Sequence, residues 1–106
     1  MFIVNGEVWQ VKLVSNYHYE LRRPDGVFSV GCCNNDNKTI FINKNLKEKY
    51  FKEVLCHEIS HAVLFSYKIG LTYEQEEDVV SIIANYGKEI INITEKVYKK
   101  LKRGYH

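Results

Sequence analysis

With 106 residues, the chain is the size of one domain built around a single core. Its 45% hydrophobic and 26% charged residues are those of an ordinary soluble protein, and a net charge of +2 is too small to argue for nucleic acid as a partner. The start, Met1-Phe2-Ile3-Val4-Asn5-Gly6, has neither the basic flank nor the long apolar stretch of a secretory signal, and no run is long enough to span a bilayer, so a cytoplasmic location without a membrane partner is expected.

Phe2-Ile3-Val4 and Val8 to Val14 flank Asn5-Gly6, the dipeptide of a tight β-hairpin. His18, between Tyr17 and Tyr19, reads as a loop residue. Arg23-Pro24-Asp25-Gly26 holds the only proline and reads as a turn. Val27 to Val30 and Lys38 to Ile42 read as two more strands, joined by the polar run Asn34-Asn35-Asp36-Asn37. The first third is therefore expected to be a small, mostly antiparallel sheet.

The pattern then becomes helical. From Asn45, the expected N-cap, to Lys68 there is no proline or glycine, and Phe51, Val54, Leu55, Ile59, Ala62, Phe65 and Ile69 form one apolar stripe. Gly70 is the expected stop. Thr72-Tyr73-Glu74-Gln75 fits a capping box that opens a second helix, with Gly87 as a place to bend or interrupt it. Ile90, Ile93, Val97 and Leu101 carry a stripe to about Arg103. The segment from Lys88 to Arg103 holds six basic and two acidic residues and reads as a helix that packs its stripe and solvates its charges. Strands followed by helices give an α+β fold, a single domain over residues 1–106.

The chemistry concentrates in His57-Glu58-Ile59-Ser60-His61. On a helix, residues i and i+4 lie one turn apart on the same side. Two imidazoles at that spacing can close on one Zn2+ ion, with Glu58 beside them as a general base. A shuffled chain of this composition holds H-E-x-x-H by accident roughly one time in 100, so the reading needs a third ligand. Glu74, Glu76, Glu77 and Asp78 are the candidates. A count of the apolar face favours Glu76, and all four acids also suit the positive end of the helix dipole. Cys32, Cys33 and Cys56 are an odd number, which argues for reduced thiols. Neighbouring Cys32 and Cys33 on a strand point to opposite faces, poor geometry for one metal.

The chain resembles the gluzincins, zinc peptidases in which H-E-x-x-H on one helix is completed by a glutamate on the next. Glu76-Glu77-Asp78-Val79-Val80-Ser81-Ile82-Ile83-Ala84 follows the pattern of the ligand helix in thermolysin-like enzymes. Glu77 stands at the ligand position and Ala84 at the small position where the helices approach. Ser81 replaces the acid that orients a ligand histidine. Size and element order resemble the small zinc peptidase-like proteins of phages and mobile elements, the ImmA/IrrE type among them, over about residues 27 to 87. The resemblance implies a metallopeptidase with Zn2+ on His57, His61 and Glu77 and with Glu58 as the catalytic base. It implies a peptide or protein substrate added as a strand beside Ile40-Phe41-Ile42, and an oxyanion donor among Tyr86, Tyr98 and His106. The alternatives are a domain of this fold that binds a partner protein without cutting it, and a structural zinc protein closed by Cys32 or Cys33.

Overall fold

A computed structural model describes residues 1–103. Strands β1 (Phe2–Val4) and β2 (Glu7–Val14) form the expected hairpin, with Asn5 and Gly6 at φ of 48° and 77°. Those left-handed values match the twist of the two strands. A 3-10 turn (Tyr19–Leu21) and a loop lead to β3 (Gly31–Asn34) and β4 (Thr39–Asn43). Two helices follow, α1 (Glu48–Ser66) and α2 (Tyr73–Lys102).

The sheet order is β1-β2-β4-β3. Two of its three pairings are antiparallel, and β4 runs parallel to β2. Composition explains why β4 is inserted at the centre. Ile40, Phe41 and Ile42 are apolar on both faces, and both faces are covered. Ile40 and Ile42 join Trp9, Val54 and Ala62 in the core against α1. Phe41 points to the other side, where the ring of His18 stacks on it at 5.6 Å. His18 lies in the loop, as the sequence suggests, and its Nδ1 accepts the Glu20 N–H to cap the 3-10 turn.

The third strand lies four residues later than the sequence suggests. Val27 is taken up by the Pro-Asp-Gly turn: its C=O accepts from the Arg23 N–H and its own N–H donates to Asp25 Oδ1. Phe28 makes only a single bridge to Arg22. Pairing with β4 therefore starts at Gly31. A Cβ there would lie 2.8 Å from Val54 Cγ1 and 3.1 Å from Glu58 Oε2. Only glycine lets the strand rest on α1 at this point.

Both helix-end expectations for α1 need correction. Asn45 is not its N-cap. The Asn45 N–H is held by Asn43 Oδ1 and its side chain reaches Asn16, so Lys47 occupies the cap with no side-chain hydrogen bond. At the other end Lys68, at φ of 53°, makes the left-handed turn expected of Gly70. The Lys68 N–H bonds Phe65 O and the Ile69 N–H bonds Leu64 O, the two bonds of a Schellman motif. The capping box of α2 forms as written in the sequence, with Thr72 and Gln75 exchanging side-chain bonds. Gly87 does not interrupt α2, which runs for 30 residues. Among the described residues, no helix is long and apolar enough to cross a membrane.

Candidate metal centre

His57 and His61 stand one turn apart on α1, their ring centroids 5.1 Å apart. The first turns of α2 bring Glu77 to both. Its Oε1 lies 3.1 Å from His61 Nε2, and its Oε2 lies 3.6 Å from His57 Nε2. One ligand atom from each residue fits within a 4.8 Å cluster. Ligand atoms about 2.1 Å from a tetrahedral zinc lie about 3.4 Å from one another, close to the 3.1 and 3.6 Å found here, so this donor set fits such an ion. His57, His61 and Glu77 could hold a metal.

Glu76, the other candidate ligand, faces a different atom. Its Oε2 lies 2.8 Å from Nδ1 of His61. An Nδ1–H donated to Glu76 leaves the Nε2 lone pair of His61 aimed at Glu77, which fixes ring and tautomer together. In the thermolysin-like pattern that this helix resembles, the orienting acid stands at the position of Ser81. For His61, Glu76 supplies it. Ser81 borders a second recess beside His57. No acid lies within bonding distance of His57 Nδ1 among the described residues.

Glu58 is buried, 8% exposed, although it is charged by habit. Burial pushes its carboxyl up to about 7, with Glu77 adding to the rise and His61 opposing it. A carboxylate with that proton affinity is suited to accept and return a proton near neutral pH. Burial also lowers the pKa of His57, helped by His61 and opposed by Glu77, which favours the neutral imidazole a metal needs.

These side chains line an open cleft of about 930 Å³ between β3, α1, the start of α2 and the loop from Glu20 to Asp25. β4 is paired on both sides, so Ile40-Phe41-Ile42 has no edge to offer a peptide. Of the two edge strands, β1 and β3, it is β3 that borders the cleft. The Asn43 N–H bonds Val30 O, which sets the alternation along the ladder. By that alternation Cys32 and Asn34 bond β4, whereas Gly31 and Cys33 turn their N–H and C=O outward. Gly31 O accepts from Ser29 Oγ at 3.0 Å, and Cys33 keeps both groups on the edge.

Of the expected oxyanion donors, Tyr86 and Tyr98 do not line the cleft. Tyr86 is nine residues beyond Glu77, half a revolution around α2, and 56% exposed. Tyr98 lies three turns further out, and His106 lies outside the described residues. The cleft wall instead includes Tyr73, Arg22 and Arg23. Tyr73 precedes Glu77 by four residues, so helical spacing alone could have placed it on the same side. The three cysteines are free. Burial, followed by the nearby Glu58, raises the pKa of Cys32 and Cys33, which favours the thiol over the metal-binding thiolate.

A sheet laid on an H-E-x-x-H helix, with a carboxylate from the next helix facing both imidazoles, defines a metallopeptidase-like class of site. Residues 13–89 match the peptidase family described as the IrrE N-terminal-like domain, and the chain belongs to that family. It is also 34% identical over 68 residues to "Uncharacterized protein MJ1213" of Methanocaldococcus jannaschii, covering 60% of this chain and 59% of that protein. The chain thus matches about three fifths of the length of this relative. No solved structure matches.

Proposed function

We propose that the chain is a zinc-dependent peptidase that cleaves an extended peptide laid along the free edge of β3. The observation that carries this reading is the convergence of the two Nε2 atoms on the Glu77 carboxylate, with buried Glu58 beside them. His57, His61 and Glu77 hold the ion, and Glu76 keeps His61 in the ligating tautomer. Bound zinc supplies Lewis acidity, which acidifies water and polarises a carbonyl. Glu58 accepts the proton of the attacking water and delivers it to the leaving amine. The outward N–H and C=O of Cys33 pair with the substrate backbone, so the peptide adds as a strand beside β3 rather than β4. The cleft position of Tyr73 makes it the candidate donor to the developing oxyanion.

The test is zinc content per chain followed by hydrolysis of a peptide library by the native protein and by Glu58→Gln. One zinc per chain, with turnover lost in Glu58→Gln, supports the enzyme. A chain that takes up no zinc overturns it. The missing acid on His57 favours one rival, a domain that keeps the metal but binds a partner without cutting it. Zinc without turnover in the native protein selects that rival.

A further inference from the structure

We propose that the second half of α2 is a dimerisation element: two copies pack their α2 helices antiparallel, and each tail seats in the groove between α1 and α2 of the other. The family match ends at residue 89, and α2 continues to Lys102. Along that stretch Ile90, Ile91, Ile93, Val97, Tyr98 and Leu101 are each 50–60% exposed.

Helical geometry collects these side chains on one face. At 100° per residue they span, with Ile83 and Tyr86, about 160° of the circumference, and every lysine, arginine and glutamate from Lys88 onward falls outside that arc. A two-stranded seam needs a narrower stripe. A face this wide is covered by two neighbours, as in a bundle.

The second neighbour is already present. Leu55, Ile59 and Val63 of α1 and Ile83 of α2 line an almost wholly apolar groove of about 470 Å³. Ile83 makes the groove continuous with the tail stripe. Ile59 sits about 200° around α1 from both His57 and His61. A helix in the groove therefore leaves the metal cleft open.

Charge selects a second copy and its direction. Residues 73–87 carry four acids and no lysine or arginine, whereas residues 88–103 carry six bases and two acids. Antiparallel packing brings the basic end of each helix to the acidic start of the other, and parallel packing would set like against like. The area is sufficient. At about 100 Å² for each half-exposed large side chain, the eight residues offer roughly 800 Å² per copy, the share of one partner in a standard interface.

Light scattering and sedimentation equilibrium of the whole chain test this at about 50 μM. The native protein should be a dimer, and Ile90→Asp with Val97→Asp a monomer. Because those aspartates can also fray the tail, a charge exchange gives an independent reading. Lys100→Glu with Lys102→Glu, the lysines flanking the two edges of the stripe, should weaken the dimer about tenfold or more at low salt. Adding Asp78→Lys to the same chain should restore part of it. A native chain that stays monomeric at that concentration overturns the proposal. So does a monomer that co-sediments with phosphatidylserine–phosphatidylcholine vesicles, which would assign the stripe to a membrane surface instead. A dimer indifferent to both sets of variants overturns the assigned face.

Discussion

The two ends of α2 invert each other. Its first two turns hold acids in a half-buried cleft, pressed against imidazoles and a buried glutamate. Its last four turns hold isoleucine, valine and tyrosine in water. An ordinary domain does the opposite at both places, burying apolar groups and exposing charge. The helix is one continuous rod, so the contrast does not come from local folding. It comes from what each end faces: one meets a sheet edge and a histidine helix, and the other stays half-exposed among the described residues. Charge held in marks the candidate metal centre, and oil left out marks the proposed docking face.

The strongest way to break this comparison is at Glu58. Glu58→Gln should lower hydrolysis by roughly 10²–10⁴-fold while zinc content stays at the native level. Equal turnover in the variant would remove the buried acid from the chemistry. The next effect concerns folding of the metal-free protein. The Glu58 carboxyl is pushed up to about 7 in the fold from an ordinary 4.5, so between those values the folded chain holds more proton than the unfolded one. Stability should therefore fall by about 3 kcal/mol as pH rises through that window. Urea unfolding after chelation measures it, with Glu58→Gln as the reference for the opposite slope that the lowered pKa of His57 contributes. A native chain whose stability does not fall relative to Glu58→Gln from about pH 4.5 to 7 contradicts the burial of this group.

A smaller loss is expected at Glu76. Glu76→Ala should reduce zinc affinity by roughly 10–100-fold in a competition titration, and Glu76→Gln should recover part of it by still accepting the Nδ1–H. If Glu76→Ala abolished binding and Glu77→Ala did not, the two acids would exchange roles. The smallest effect lies at the joint between the helices. Lys68 sits in the left-handed region, where glycine is at ease. Lys68→Gly should raise stability by about 0.5–1 kcal/mol in thermal unfolding, because relief of strain exceeds the added freedom of the unfolded chain.

Local features of the fold were legible because their signals are local. Asn5-Gly6 dictates a hairpin and Thr72 to Gln75 dictates a helix start, whatever the rest of the chain does. The spacing of His57 and His61 places two imidazoles on one side of a helix without help from tertiary structure. The insertion of β4 between β2 and β3 was not legible. It depends on both faces of Ile40-Phe41-Ile42 being covered, and the cover on one side is an irregular loop whose path no periodicity encodes. The error about the substrate edge follows from that insertion. Glu76 and Glu77 were separable only in space: consecutive helical residues point about 100° apart, and which of them meets Nε2 and which meets Nδ1 depends on how α2 is rotated against α1.

The lone tryptophan gives this molecule a built-in optical gauge. Trp9 is wholly enclosed, stacked near Phe2, and its indole N–H donates to Ser66 Oγ at 2.8 Å, the last residue of the histidine helix. Its emission colour therefore reports whether that helix is seated on the strands. The same chromophore lies at the opposite end of α1 from the helix start and clear of the exposed stripe. Docking of the rod can thus be followed separately from ion uptake and from self-association, with no label added.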